Sequence, residues 1–565
     1  MMAIKKLYLL AAVSSVSAFV SAPIVPGQHP LSWTSPPTSR SGFKCDLPPV
    51  LDPAKDGLPS AKELFSSKKA LHRQIRRHQA IVRVPSICFD DLGSFDEDKR
   101  WGPFYTLHHV LAETYPVVHK LAKLEKVNTF GLVYTIKGAD EHLKPILLAA
   151  HQDVVPVADE RTWTYPPFSG HWDGEWLWGR GSMDDKDSLT AIMSTMETLL
   201  SYPEWKPNRT IVLAFGFDEE CSGCRGAGKI AEHLEARYGK DGFAMVLDEG
   251  GLGMNKIGDV LYALPGVYEK GFVDIWFELH VVGGHSSIPF PHTGIGIISE
   301  IVTALEARPY EPKLIEDGPI HHHLLCQARY SPDAQPELTE LLGRGDLDGV
   351  AKFMADAGLM TKYMIQTSQA VDLIRGGQKI NAMPEVTTLG VNYRVAPQDS
   401  ITLVQHNVVK HMEEIVSRYG LKVKAFEGDK EYEEYVADKG TSFLVRPASD
   451  EIDYNGTLVL QAKQASKPSP VSPSSGPVWD VFAGTIRNAL AFRHGTVVPA
   501  SETMTGNTDT RHYVDLTPNI YRWTPIDKDS AGGLHTIDER VRMENHMEMV
   551  RFYYDLVRNF DASDA

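Results

Sequence analysis

The chain has 565 residues, 42% hydrophobic and 23% charged, which is ordinary globular composition but too much chain for a single core. Its formal net charge of −16 argues against nucleic acid as a partner, because a nucleic-acid reader presents a basic face. Five cysteines leave at least one unpaired, so the chain is not a small scaffold stapled by disulfides.

At the N-terminus, Lys5 and Lys6 precede an apolar run over 7–20, and small residues follow up to Ala22. That layout predicts a signal peptide over residues 1–22, since the run is short for the ~20 residues of a membrane span. Membrane association then depends on the segment being retained as an anchor. The sequons Asn208-Arg209-Thr210 and Asn455-Gly456-Thr457 fit passage through a secretory pathway. Residues 23–60 are rich in Pro and Ser and read as an extended arm.

Helical spacing begins at 61 and runs to 79, and a second helix is expected over 104–123. Residues 130–136 read as a strand and 145–150 as a stronger, fully apolar one. The latter ends in His151-Gln152-Asp153. Residues i and i+2 of an extended chain face one side, so Asp153 is placed to fix the tautomer of His151 while the other ring nitrogen binds metal. An aspartate capping a turn before Val154 is the plainer alternative. After an aromatic loop comes Gly179-Arg180-Gly181-Ser182-Met183-Asp184-Asp185-Lys186, then a helix over 188–200. Asp185 and Asp187 suit its cap as well as any site. Asp184, further into the turn, keeps its carboxylate free to bridge two cations.

The run 211–217 ends in Asp218, Glu219 and Glu220, and the run 243–247 ends in Asp248 and Glu249. Short apolar runs suit strands covered on both faces, and open α/β sheets carry their chemistry beyond the carboxyl ends of such strands. Carboxylates and imidazole in this mix suit zinc or a related divalent ion. Without a cation, so many converging acids would repel one another strongly. Charged loops that never converge are the competing picture.

Residues 268–282 then alternate in the manner of an antiparallel strand. Gly283-Gly284-His285-Ser286-Ser287, a helix over 294–307, a strand over 386–395, a helix over 403–419 and a strand over 421–426 follow. Together they predict a β-α-β-β-α-β-like unit inserted over 268–465, with helical extra material at 337–357. The first domain, begun over 61–267, resumes over 466–565 with a helix at 478–492, polar clusters at 505–511 and 532–539, and a closing helix over 543–559. Cys221-Ser222-Gly223-Cys224 reads as a local disulfide or two free thiols rather than a redox centre, and His321-His322-His323 as a solvated loop.

The motifs HQDVVP at 151–156, GRGSMDDK at 179–186, DEE at 218–220, LDEGG at 247–251, GGHSSIP at 283–289 and LHTIDE at 534–539 occur in one register. In that order they resemble the two-zinc peptidase family of carboxypeptidase S, aminoacylases and succinyl-diaminopimelate desuccinylase. TYPPFSGHWDG (164–174) and KPSPVSP (467–473) are most similar to its fungal carboxypeptidase S branch. The resemblance implies an α/β catalytic domain of zinc-exopeptidase type, with a central mostly parallel sheet and an inserted α+β lid that mediates dimerisation. It implies two zinc ions, one held by His151 and Asp248, the other by Glu220 and His535, with Asp184 bridging; Glu249 is the alternative to Asp248. Asp153 would orient His151 and Glu219 would act as general base on a water acidified by the ion pair. His285, from the neighbouring subunit, would stabilise the oxyanion, and Asn381 and Arg511 would grip a substrate carboxylate, with Arg394 structural. The expected activity is removal of C-terminal residues from short peptides of Gly-Xaa type, in the vacuole lumen or outside the cell. Hydrolysis of N-acyl amino acids is the close alternative, and a catalytically dead binding protein the distant one.

Overall fold

The computed structural model describes residues 42–251, 253–439 and 453–565. The expected signal segment and the first part of the arm lie outside them. Among the described residues no helix is long and apolar enough to cross a membrane.

The apolar runs form the middle of an eight-stranded sheet. Its order is Lys123–Val127, Gly131–Ile136, Ile211–Gly216, Ile146–His151, Met245–Asp248, Ile520–Arg522, Gly266–Glu269 and Glu502–Met504. Ile146–His151 lies parallel to both Ile211–Gly216 and Met245–Asp248, and the latter parallel to Ile520–Arg522. Every residue of these two runs and of Met245–Asp248 is buried, as expected of strands covered on both faces. Helices Lys68–Val82, Lys186–Leu199, Pro477–Ala489 and Met543–Asp561 share one core with one face of the sheet, and Ala227–Tyr238 packs on the other.

Several expected helices are broken where local chemistry dictates. The helix expected over 61–79 is two, Ala61–Phe65 and Lys68–Val82, because Ser67 caps the second by accepting from the Ala70 N–H. The span 104–123 divides at Pro116 into Gly102–Thr114 and Pro116–Leu121, with Pro116 at the first position, where a missing N–H costs nothing. Glu197, on another helix, accepts from the Val117 and Val118 N–H groups at 3.0 and 2.9 Å and so supplies the cap.

A second, five-stranded sheet is built entirely from residues 271–466, in the order Ser368–Gly376, Val386–Val395, Gly271–His280, Thr457–Ser466 and Lys422–Ala425. Gly271–His280 alternates buried with less buried residues as its sequence predicts, and helices Gly294–Glu306 and Ile401–His411 cover its apolar face. The extra material is more extensive than expected. It adds helix Pro319–Tyr330, on which His321, His322 and His323 sit partly or wholly buried, so these histidines are not in a solvated loop. Cys221-Ser222-Gly223-Cys224 is neither the local disulfide nor the two free thiols expected: Cys221 is bonded to Cys88, Cys45 to Cys326, and Cys224 is free.

Candidate metal centre

Strand register gathers the first set of residues. His151 lies alongside Gly216, and Leu148 alongside Leu247, so His151, the turn at Asp218–Glu220 and Asp248 leave the sheet at one edge. Asp153 joins two of these strand ends. It accepts from the Glu219 and Glu220 N–H groups at 3.2 and 3.1 Å, while its Oδ1 lies 3.3 Å and its carbonyl 3.1 Å from His151 Nδ1. Asp218 turns away and closes the glycine-rich turn, accepting from Arg225 N at 2.8 Å and Gly226 N at 2.7 Å.

Asp184 is the centre of the cluster. Its Oδ1 lies 2.9 Å from His151 Nε2 and its Oδ2 3.0 Å from His535 Nε2, so one carboxylate spans two imidazoles that arrive from opposite ends of the chain. Glu220 Oε2 is 3.3 Å from His535 Nε2 and Glu249 Oε1 3.4 Å from His151 Nε2. Ligand atoms of His151, Asp184 and Glu220 lie within 4.8 Å of one another, as do those of His151, Asp185 and Glu249. Asp248 is 1% exposed; one oxygen accepts from the Glu249 N–H at 3.0 Å and the other, Oδ2, has no protein partner. Glu220 Oε1 is buried and unpartnered in the same way.

The turn that presents Asp184 is held by Glu539, which accepts from Arg180 Nη1 (2.7 Å) and from the N–H groups of Gly181, Met183 and Asp184 (3.0, 3.0 and 3.2 Å). Asp185 stands at the N-cap position of Lys186–Leu199 without a capping hydrogen bond, and instead accepts from His151 N at 3.3 Å. Asp187 is buried against His546 and His78. Neither acid is the cap that the sequence equally suggested.

The electrostatics are those of a cation site. Burial works against the charge of Asp184, but the two imidazoles hold its carboxyl well below the usual range. Asp184 and Glu220 in turn push His535 up to about 10. Burial, reinforced by the charge of Asp184, pushes Glu249 up to about 8. Glu219 is raised well above the carboxylate range by burial first, opposed by His151 and reinforced by Glu249, Asp509 and Glu220. Two imidazoles, a shared carboxylate and flanking acids with buried unpartnered oxygens are the donor set a divalent pair requires.

The substrate-side residues are not all brought here. His285 and Asn381 share a small, exposed two-stranded unit of the insert, where His285 is paired with Ala382 and its Nδ1 lies 2.7 Å from Ser287 Oγ. Arg511 lies on the turn Asp509–His512, and its charge, with Asp274 opposing, helps burial lower the pKa of Arg394. Arg394 Nη1, on the second sheet, donates to Asn507 Oδ1 at 3.1 Å. Sequence reasoning missed Glu539 and Asp509. Glu539 stands inside the LHTIDE motif, but its partners lie more than 350 residues away in sequence. Asp509 is 2% exposed with both oxygens unpartnered, and a side chain at Gly216 or Gly223 would strike it at 2.3 Å. Those two glycines were its only local signal.

A profile of peptidase family M20/M25/M40 matches residues 147–559, which include every residue of this cluster. The chain belongs to that family. It is a metal-dependent hydrolase of peptide bonds, a carboxypeptidase. Carboxypeptidase S of Saccharomyces cerevisiae is 39% identical over 85% of this chain and 82% of that protein. An N-fatty-acyl-amino acid synthase/hydrolase of Bos taurus is 30% identical over 78% of this carboxypeptidase and 79% of the relative. Among solved structures, human carnosine dipeptidase 1 superposes with a TM-score of 0.59 at 12% identity, over 89% of this chain and all of that one. That likeness concerns the fold.

Proposed function

We propose that this carboxypeptidase releases the C-terminal residue of short, Gly-Xaa-type peptides with two zinc ions, one on each side of Asp184. In this reading His151 and Asp248 would hold one ion, and Glu220 and His535 the other. The observation that carries this reading is the Asp184 carboxylate spanning two imidazoles, with a buried, unpartnered oxygen on each of Asp248 and Glu220. Glu249 competes for the first position, since it reaches His151 more closely. When bound, the ions would acidify a shared water and polarise the scissile carbonyl.

The protein's own residues supply the rest. Asp153 fixes the ring of His151 and, by accepting from two consecutive backbone N–H groups, holds the turn that carries Glu219 and Glu220. Glu219, committed to neither imidazole, takes a proton from the attacking water and returns it to the leaving amine; its burial keeps the protonated form accessible. Arg511 and Arg394 place two guanidinium groups near each other at the boundary with the insert, a setting for the free carboxylate that defines a C-terminal substrate. His285 and Asn381 act through the lid. The exposed surface they share includes Ile288 and Ile380, 82% and 98% exposed, which supports a homodimer in which His285 serves the neighbouring subunit's oxyanion. Action in the lumen of the secretory pathway or vacuole belongs to the same proposal.

The bovine relative favours one second reading, hydrolysis of N-acyl amino acids, because the same site accepts any amide beside a free carboxylate. The test compares Gly-Leu with N-acyl-leucine, with and without a chelator. Faster chelator-sensitive turnover of Gly-Leu is expected. Preference for N-acyl-leucine would transfer the assignment to the second reading, and chelator-insensitive turnover would end both.

A further inference from the structure

Cys45, Cys326 and His322 lie together far from the catalytic motifs in sequence, with ligand atoms within 4.8 Å of one another. Cys45 belongs to the N-terminal arm, while His322 and Cys326 occupy one face of helix Pro319–Tyr330 at i and i+4. Both sulfurs are buried, at 2% and 0% exposure, and are joined as a disulfide with Cα atoms 5.0 Å apart. The surroundings are apolar: Tyr262, Leu264, Val498 and Ala500 complete the cluster.

The imidazole gives the arrangement a direction. Ser501 Oγ stands 3.2 Å from Pro319 O and can donate to it. At 2.9 Å from His322 Nδ1, the same hydroxyl can accept from that nitrogen, the tautomer that metal binding at Nε2 requires. In that tautomer the lone pair of Nε2 points at Cys326 Sγ, 3.7 Å away. Burial, with help from the two neighbouring histidines, lowers His322 to about 4, so the ring is neutral at ordinary pH. A disulfide sulfur has no proton to offer that lone pair. A hydrogen bond fixing the tautomer while the free nitrogen faces two sulfurs is the arrangement of a metal-ligating histidine.

We propose that Cys45, Cys326 and His322 form a redox-gated zinc site distinct from the catalytic pair: a disulfide under oxidising conditions, a zinc thiolate centre under reducing ones. A dithiol reductant supplies two electrons to the S–S bond and is itself oxidised to a disulfide. Two cysteine thiolates form, Zn²⁺ binds them together with His322 Nε2, and two protons are released. Ligands at ~2.3 Å from zinc in tetrahedral array stand about 3.8 Å apart, a separation that the two side chains reach from a 5.0 Å Cα spacing by rotating about χ1.

What the site would control follows from the path of the arm. Arg329 of the insert donates to Phe43 O at 3.3 Å and Asp46 Oδ1 at 2.7 Å, and Tyr330 Oη donates to Cys45 O at 3.1 Å. A few residues on, Leu51 N donates to Gly484 O at 3.1 Å and Arg487 bonds Pro48 O, both on a helix of the catalytic domain. The arm thus straps the two domains together, and either a disulfide or a zinc ion would keep its buckle closed.

The test uses the full-length enzyme and cobalt as a spectroscopic stand-in for zinc. A phosphine reductant opens the disulfides without competing for metal. Reduced enzyme is expected to bind one more equivalent of cobalt than oxidised enzyme, with thiolate-to-cobalt charge-transfer absorption that the sulfur-free catalytic cluster cannot give. Reoxidation should expel that equivalent into a chromogenic chelator. Cys326→Ser and Cys45→Ser should each abolish the band, His322→Ala should weaken binding at least tenfold, and Cys88→Ser should leave it intact. No sulfur-to-cobalt absorption on reduction, or a band that survives Cys326→Ser, overturns the proposal. Absence of the band in reduced wild type overturns the proposal outright, and where Cys326→Ser fails to fold, Cys45→Ser and His322→Ala make the assignment against the thiols freed from Cys88–Cys221.

Discussion

Glu219 and Glu220 are neighbours in sequence with different surroundings. Glu220 lies 3.3 Å from an imidazole, whereas Glu219 meets chiefly burial and like charge. Glu219→Gln is expected to lower kcat by roughly 10²–10⁴-fold while leaving the bound metal unchanged, as read by steady-state kinetics beside elemental analysis. Loss of metal in that variant would make Glu219 a ligand instead. For the first metal position, Asp248→Asn is expected to remove about one equivalent and Glu249→Gln to leave both, since only Asp248 carries a buried oxygen without a partner. The reverse result would assign Glu249. A third residue-level prediction concerns acid. Burial lowers His108, which lies 3.0 Å from Gln152 Oε1, to about 4. The unfolded chain takes up this proton near pH 6.5 and the folded one only near 4, so folding stability falls as pH drops through that interval. Relative to His108→Asn, the wild type should lose about 2 kcal/mol between pH 6.5 and 5, measured by denaturant unfolding at each pH.

At the scale of elements, Glu197 is a residue of one helix that terminates another. It takes two N–H groups at the start of Pro116–Leu121, an end with no cap of its own. Glu197→Ala is expected to cost about 1–2 kcal/mol, and hydrogen exchange should localise the loss to residues 116–121. An unchanged exchange pattern there would show that the two bonds contribute little. The strands that carry the site were legible because each is a short, wholly apolar run ending in acid or histidine. The helix breaks at Ser67 and Pro116 have plain local causes. Thr457–Ser466 was not singled out because its outer half is exposed and its pattern is diluted by Gln and Lys.

Across the whole molecule, two neighbouring strands of the eight-stranded sheet, one of them leading directly into the second sheet, share a buried ion pair. Glu269 Oε1 lies 3.3 Å from Arg522 Nε and accepts from the Thr508 N–H and hydroxyl at 2.8 Å each, just ahead of the turn bearing Asp509 and Arg511. Arg522 is fully buried, so Glu269→Ala would leave its charge without a partner at a cost of about 3–5 kcal/mol. Glu269→Gln, which keeps the acceptor for Thr508, should cost less. Thermal unfolding of the two variants checks the order, and equal losses would assign the effect to packing.

The sequence by itself determined the class of fold and the kind of chemistry. Strand burial and candidate donors are written into local patterns, apolar runs and the acids and histidines that end them. Only the tertiary structure decided which of those acids face one another. Asp184 spans His151 and His535, separated by nearly four hundred residues, because a sheet edge and a distant loop meet there. Glu539, Asp509 and the Cys45–Cys326 staple became visible for the same reason: each acts on residues remote in sequence, and no local period records such a partner.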